Sequence, residues 1–412
     1  MKIYRVGGCV RDRLLGLPVN DIDWVVTGAT ATEMLALGFK SIGKDFPVFL
    51  HPESKQEYAL ARSERKIAPG YHGFEVSADP ATTIEQDLLR RDLTINAIAE
   101  DEDGNIIDPY GGQRDIEART LRHVSAAFVE DPVRVLRVAR FAARFHRLGF
   151  TLAEDTCKLI RQMGQSGELE ALVAERVWIE LSRALDEADP AVFFTTLRDC
   201  DALVRLFPEI DALFGIPQTA KYHPEIDTGL HLMMALQKSA ELGHDNETRF
   251  AVLMHDLGKA VTPVEILPGH NGHEARGRQL VAAFCKRWRV PKAHSTLALI
   301  TTEYHTLVHR ALDLRPSTLL RLMTRADSLR KPERFQKMLD ACLADLRGRK
   351  NYEDAPYPQR DFLAQLAARL RDMDIAEIQQ RGLDGKNLGQ AIEQARLQLI
   401  KREKALFLQD PR

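Results

Sequence analysis

The sequence predicts an α+β chain: a small head of interleaved short strands and helices, then an all-helical remainder. Apolar alternation at Lys2–Val6, Asp23–Thr27, Val48–His51 and Tyr58–Arg62 reads as strands, with helical periodicity over Thr30–Gly38 and Thr83–Ala99. From about residue 121 onward the apolar spacing is helical, punctuated by prolines such as Pro208, Pro217, Pro291, Pro316 and Pro332. A length of 412 residues exceeds one compact core, so two to four domains are expected. The head is expected over 1–120, a helical neck and body over 121–225, a histidine-rich helical segment over 226–330 and a helical tail over 331–412. Between the strands, Ser63–Gly73 is charged, then rich in glycine and proline, and reads as a mobile loop.

Composition excludes several classes. With 44% apolar and 28% charged residues the chain reads as an ordinary globular protein, and no stretch reaches the roughly 20 apolar residues of a membrane span. No signal-peptide pattern precedes the first strand. Five scattered cysteines without a Cys-x-x-Cys pair point to a reducing cytoplasm and away from a zinc ribbon. A net charge of −2 confines any nucleic-acid surface to a local patch.

The head opens with Val6-Gly7-Gly8-Cys9-Val10-Arg11-Asp12, a strand running through two glycines into helical turns that end near Gly16. Such a turn lets backbone N–H groups approach a triphosphate, with Arg11 beside them. After Leu17-Pro18-Val19-Asn20 comes Asp21-Ile22-Asp23-Trp24. Residues two apart on a strand share a face, so Asp21 and Asp23 would present oxygen ligands to Mg²⁺ together. In this order the two motifs resemble the nucleotidyltransferase head of the polymerase β superfamily. Gly-Gly-x-Val-Arg-Asp with Asp-x-Asp is similar to class II tRNA CCA-adding enzymes and bacterial poly(A) polymerases. The resemblance implies a polymerase β-type head with Gly8, Arg11, Asp21 and Asp23 in its site.

Arg91-Asp92-Leu93-Thr94-Ile95-Asn96-Ala97 follows, and its guanidinium at Arg91 suits phosphate or ribose. Ile-Asn-Ala and the turn Asp108-Pro109-Tyr110-Gly111-Gly112 also match the CCA-adding family. In the neck, Glu130-Asp131-Pro132 reads as a helix start, with Asp131 capping and proline at the first helical position. Arg134, Arg137, Arg140 and Arg144 then recur at steps of three and four. The resemblance implies that Asp131 and Arg134 read the incoming base while Arg137 and Arg140 hold the nucleotide. Hydrogen-bond chemistry agrees: cytosine and adenine both offer an amine beside a ring nitrogen, matched by a carboxylate acceptor and a guanidinium donor. Uracil and guanine reverse that order, and each buried mismatch costs about 1–3 kcal/mol. Glu175–Glu180 resembles a further neck element of structural character.

Downstream lie His231, His255-Asp256-Leu257-Gly258-Lys259, His270, His273, His305 and Asp327. Adjacent His-Asp in helical surroundings, with a histidine upstream and an aspartate downstream, resembles the HD phosphohydrolase superfamily. That resemblance implies one metal held by His231, His255, Asp256 and Asp327, with His273 and His305 available to a second. Imidazoles with carboxylates suit Ni²⁺ or another transition metal better than Mg²⁺. Lys259 suits a phosphate or solvent equally. In the tail, Gly382–Ile392 resembles an element that relatives place near tRNA, and Arg396, Lys401, Arg402 and Lys404 form a candidate phosphate-contacting patch.

Together the resemblances imply a cytoplasmic tRNA nucleotidyltransferase that takes ATP and CTP, acts on tRNA as a monomer or homodimer, and carries an HD phosphatase, 2′-nucleotidase and cyclic phosphodiesterase. A poly(A) polymerase, a signalling-nucleotide hydrolase with a decayed head and a non-catalytic RNA-binding protein are the alternatives. They separate on one incubation: with CTP alone, a tRNA ending before CCA gains two cytidines from a CCA-adding enzyme and nothing from a poly(A) polymerase.

Overall fold

The computed structural model describes residues 1–42, 48–66, 74–77, 79–221, 223–380 and 382–409, with Ser63–Lys66 and Phe74–Ser77 described as backbone. The chain divides into two compact units, Met1–Ala184 with Val192–Leu206 and Leu185–Ala191 with Phe207–Arg412.

In the first unit β1 (Lys2–Val6) leads into α1 (Gly8–Leu14), followed by β2 (Asp23–Thr27), α2 (Ala31–Ala36), β3 (Lys40–Ser41), β4 (Val48–Leu50) and β5 (Glu57–Leu60). Then come β6 (Ser63–Lys66), β7 (Phe74–Ser77), α3 (Ile84–Leu89), β8 (Ala99–Glu100), β9 (Ile106–Ile107) and α4 (Gly112–Glu117). Seven strands form one sheet in the order β3-β4-β5-β2-β1-β8-β9. Its pairs are antiparallel except β2 with β5, and the register sets Val6 opposite both Asp23 and Ala99. Strand alternation sends Val25 to a core with Tyr4, Val6, Ile84 and Leu88, and Val26 to a second core with Met34, Phe39 and Phe49. Thr30 and Thr83 start α2 and α3 with reciprocal capping boxes to Glu33 and Gln86.

Two expectations change here. The helix expected over Thr83–Ala99 stops at Leu89, because the Asp92 carboxylate accepts from Leu93 N at 2.8 Å and Asn96 Nδ2 at 2.9 Å and closes a local turn. Of the loop expected over Ser63–Gly73, Ser63–Lys66 pairs with Phe74–Ser77 as an antiparallel hairpin, and 67–73 lies outside the described residues.

The neck begins with β10 (Thr120–Leu121) and α5 (Val133–Phe145), continues with β11 (Thr151–Leu152), α6 (Glu154–Gln165), α7 (Ala174–Asp186) and α8 (Pro190–Asp199), and closes with the short α9 (Leu203–Leu206). The expected cap shifts by one residue: Pro132 stands at the N-cap of α5, and Asp131 before it accepts from Val133 N at 3.2 Å.

The second unit holds α10 (Pro208–Asp211), α11 (Thr228–Glu241), α12 (Asn246–Met254), α13 (His273–Arg287), α14 (Lys292–His309) and α15 (Pro316–Arg325). Beyond these are α16 (Pro332–Arg347), α17 (Pro358–Arg371), α18 (Ala376–Gln379) and α19 (Gly385–Gln409). One apolar core joins Ala235, Val252 and Leu297 to Met338, Phe362 and Leu366. This core also takes in residues of α16 and α17, which lie beyond the boundary expected at residue 330. No helix among the described residues is long and apolar enough to cross a membrane.

Gly258, two residues after Asp256, marks the closest backbone approach in this unit. A Cβ there would lie 1.9 Å from His273 O and 2.5 Å from Gly277 N, so only glycine lets this turn sit against the start of α13. Gly258→Ala should lower the urea stability of this unit by about 1–3 kcal/mol, read as an earlier midpoint in a denaturation series.

Candidate functional sites

In the first unit, Asp21 and Asp23 lie just beyond the glycine turn, both exposed, and neither makes an ion pair among the described residues. Asp23 opens β2, while Asp21 precedes the strand in irregular backbone, so strand alternation fixes only the first of them. Gly7 has φ +70°, and a Cβ on it would lie 2.7 Å from Arg91 Nη1. Glycine here lets the Arg91 guanidinium lie against the turn. Arg91 pairs with the buried Asp87 at 3.2 Å, and its Nε is buried without a hydrogen-bond partner.

The other arginines form a braced wall. Arg11 is buried, donating from Nε to Asp12 at 2.8 Å and from Nη1 to Asn96 Oδ1 at 2.5 Å, with its guanidinium 5.0 Å from the Phe145 ring centre. Arg144 reaches Asp12 at 3.0 Å. Arg137 donates to Asp92 at 2.7 Å, and Arg140 pairs with Glu180 at 2.6 Å. Burial pushes the Asp92 carboxyl up, but the Arg137 guanidinium and the hydrogen bond from Asn96 more than offset it and hold it far below the carboxylate range. Asp131 is forked by Arg176 at 3.0 and 2.8 Å, and Arg134 donates to Ala127 O at 2.5 Å and Arg90 O at 2.7 Å. Arg134 is thus tied, through Arg90, to the neighbouring arginine that lies on Gly7. Gly8 sits one residue further on, at the start of α1. The sequence assigns Asp12, Asp92, Asn96, Arg176 and Glu180 no role beyond structure. The signal for four of them is an acid or amide near an arginine motif, and for Arg176 a cation in the neck element that also carries Glu180.

In the second unit a buried cluster assembles from five elements. His231 comes from α11, His255 and Asp256 from the end of α12, His273 from the start of α13, His305 and His309 from α14 and Asp345 from α16. His231 Nε2 lies 3.0 Å and His255 Nε2 3.8 Å from Asp345, and His255 Nε2 lies 3.2 Å from Asp256 Oδ2. Asp327 is not in this group. It ends α15 with φ +57°, and its carboxylate accepts from Arg330 at 2.6 Å and Arg334 at 3.4 Å. Asp345 takes the expected place because α16 packs against α11, α12 and α14. Its signal in the sequence is an acid seven residues after Met338 and three after Cys342, on a helix face otherwise apolar and buried.

The donor set fits metal ions. His255 Nδ1 donates to Val252 O at 2.7 Å, His273 Nδ1 to His270 O at 2.8 Å, and His305 Nδ1 to Thr301 O and Thr302 O at 3.1 Å. With Nδ1 so committed, each of these rings turns its Nε2 toward Asp256. Nε2 of His273 and of His305 lie 3.1 Å apart, at 3.3 and 3.5 Å from Asp256 Oδ1, so three acceptors face one point. His255 Nε2 and Asp256 Oδ1 are buried without a hydrogen-bond partner. Bound cations relieve such repulsion. Burial pushes His305 down to about 4, keeping its ring neutral. Burial raises the Asp345 carboxyl, but Arg349, His309 and His255 more than offset this and hold it well below the ordinary range. The site opens to a cavity of about 1050 Å³ lined also by Lys259, Arg310, Arg349 and Tyr357.

The folds and donor sets define a nucleotidyltransferase head joined to a metal-binding HD domain, and the sequence comparisons agree. The family described as "Poly A polymerase head domain" matches residues 3–122, "Probable RNA and SrmB- binding site of polymerase A" matches 149–214, and "HD domain" matches 228–331. The multifunctional CCA protein of Thioalkalivibrio sulfidiphilus is 57% identical over 405 residues, 98% of this chain and 99% of that protein. That of Chromobacterium violaceum is 57% identical over 411 residues, the whole of both chains. Among solved structures, the Bacillus stearothermophilus CCA-adding enzyme in complex with CTP aligns with a TM-score of 0.63 at 25% identity, over 97% of this chain and 89% of that one. The Thermotoga maritima CCA-adding enzyme complexed with tRNA shares the fold, with a TM-score of 0.59 at 20% identity over 98% of this chain and 91% of that one. The chain belongs to the family of multifunctional CCA proteins, CCA-adding nucleotidyltransferases with an HD domain.

Two outcomes follow from these geometries. Glu180→Ala strands the buried Arg140 and should destabilise the first unit by about 3–5 kcal/mol, measured by urea titration. Asp345→Asn should sharply reduce divalent-metal retention through gel filtration, measured by elemental analysis, while Asp327→Asn should leave it unchanged.

Proposed function

We propose that the first unit adds and repairs the 3′-terminal CCA of tRNA from CTP and ATP without a template, and that the second hydrolyses phosphomonoesters and 2′,3′-cyclic phosphates. The observation that carries this reading is the presence of two chemically distinct carboxylate sites, one on each unit. One is an exposed pair beside a glycine turn and arginines. The other is buried among imidazoles.

In the first site Asp21 and Asp23 would hold Mg²⁺, hard carboxylate oxygens suiting a hard ion. When bound there, Mg²⁺ supplies Lewis acidity toward the ribose 3′-hydroxyl and the triphosphate. The Gly7–Gly8 turn gives the triphosphate a close backbone approach, and Arg91 and the half-buried Arg137 face its negative charge, with Arg11 and Arg140 completing the cationic wall. The 3′ oxygen attacks the α-phosphorus in line and pyrophosphate leaves. Asp131 and Arg134 select the base. Their existing bonds to Arg176 and to backbone carbonyls hold both planes still for the cytosine or adenine edge they would read. A rigid acid–guanidinium pair discriminates because a wrong base leaves both groups unpaired.

In the second site His231, His255, Asp256 and Asp345 would hold Ni²⁺ or another transition metal, and Asp256 Oδ1 with His273 and His305 would hold a second. When bound, these ions polarise water and phosphate oxygens. Lys259, 2.6 Å from Asp256, and Arg349 bring positive charge to the same cavity for the phosphate. For tRNA contact, the tail offers the exposed Lys401 and Arg402 on α19, while Lys404 Nζ is engaged at 2.7 Å by Leu314 O.

The two activities separate by mutation. Asp21→Ala or Asp23→Ala should abolish CMP and AMP incorporation into a trimmed tRNA while leaving release of phosphate from a 2′-nucleotide intact. His255→Ala should do the opposite, and loss of incorporation in that variant would contradict independent sites.

A further inference from the structure

Outside both sites, two cysteines of the first unit face each other. Cys157 lies on the first turn of α6 and is half-buried, while Cys200 directly follows α8 and is buried. Their sulfurs are 2.7 Å apart, only about 0.7 Å longer than a disulfide bond. Neither serves the nucleotide or the metal sites, and the remaining cysteines, Cys9, Cys285 and Cys342, are all buried.

The backbone around the pair is held from both sides. Ala202 N donates to Leu197 O at 2.8 Å and Asp201 N to Arg198 O at 3.0 Å, with Asp201 at φ +55°, so the turn carrying Cys200 is closed on itself. Arg161, one turn beyond Cys157 on the same helix, donates to Asp199 O at 2.5 Å and pairs with Asp201 at 3.5 Å. The Cys157 thiol itself points at Asp199 O, 3.6 Å away. Bonding the two sulfurs therefore needs a shift of a few tenths of an ångström in each side chain and no refolding.

We infer that Cys157 and Cys200 form a reversible dithiol that a peroxide converts to a disulfide, stapling α6 to the end of α8. The balance is direct. The Cys157 thiolate attacks one peroxide oxygen, the O–O bond breaks and the departing hydroxide takes a proton to become water, leaving a sulfenic acid. The Cys200 sulfur then attacks the sulfenic sulfur, the S–O bond breaks, and the hydroxide leaves as water with the Cys200 proton. The peroxide is reduced by two electrons to two waters in all, and the two thiols are oxidised. The order follows from exposure. Cys157 meets the oxidant, while burial pushes the Cys200 thiol up and keeps it protonated until its neighbour is activated. A disulfide that forms and breaks in this way is the form expected in a reducing compartment.

The test uses the full chain. Native protein is treated with hydrogen peroxide, quenched and alkylated, then analysed by thiol titration and peptide mass spectrometry. The expected result is loss of two of the five thiols, a single linked peptide joining Cys157 to Cys200, and full recovery with dithiothreitol. Cys200→Ser should instead leave a sulfenic acid at Cys157 that a dimedone-type reagent captures, and Cys157→Ser should leave Cys200 unreacted. The inference is overturned if all five thiols survive peroxide that oxidises free glutathione, if another cysteine reacts first, or if Cys157 proceeds to sulfinic acid without linking to Cys200.

Discussion

Asp92 is buried in the first unit, and its carboxylate accepts from Leu93 N, Asn96 Nδ2 and Arg137 Nε within 2.9 Å. An isolated carboxylate at that depth would be driven to protonate. With three donors around it, Asp92 stays charged and does two things at once. It ends the helix that the local sequence would continue, and it fixes Arg137 of α5. Glu180 does the same for Arg140, Asp12 for Arg144 and Arg176 for Asp131. Arg137, Arg140, Arg144 and Asp131 are thus each positioned by an opposite charge, not by their own backbone alone.

The second unit relies on the same constraint in a different form. Asp256 and Asp345 are buried among five imidazoles, a lysine and an arginine. Here the pairing is incomplete. Carbonyl oxygens of His270, Thr301, Thr302 and Val252 bind the Nδ1 protons, turning every Nε2 inward. Imidazole nitrogens and carboxylate oxygens that converge on one point are favourable as a metal cage. Glu225, 2.9 Å from His231 Nδ1, extends the same orienting pattern to the outer side of that ring.

In the proposed reading of Asp131 and Arg134 as the base-selecting pair, specificity in the first unit is also a matter of rigidity. Asp131 and Arg134 gain nothing from strength of contact alone, because water offers the same hydrogen bonds to every base. Discrimination arises when neither group can turn away from a wrong partner. The Arg176 fork and the carbonyls of Ala127 and Arg90 remove that freedom.

Residues close in sequence could be interpreted without coordinates. Alternation placed β1 and β2, Gly7-Gly8 placed the turn, helical periodicity located α2 and the start of α3, and the His255-Asp256 pair marked the HD region, because those signals are carried within one or two turns of chain. The tertiary structure decided what depends on distant packing. It replaced Asp327 with Asp345, since only the packing of α16 against α11, α12 and α14 reveals which acid faces inward. It drew α16 and α17 into the HD core, cut the helix after Leu89, and paired Arg140 with Glu180 across forty residues. A sequence declares the chemistry a segment can offer, but the partner that a buried charge requires is chosen by whichever distant element the apolar core brings beside it.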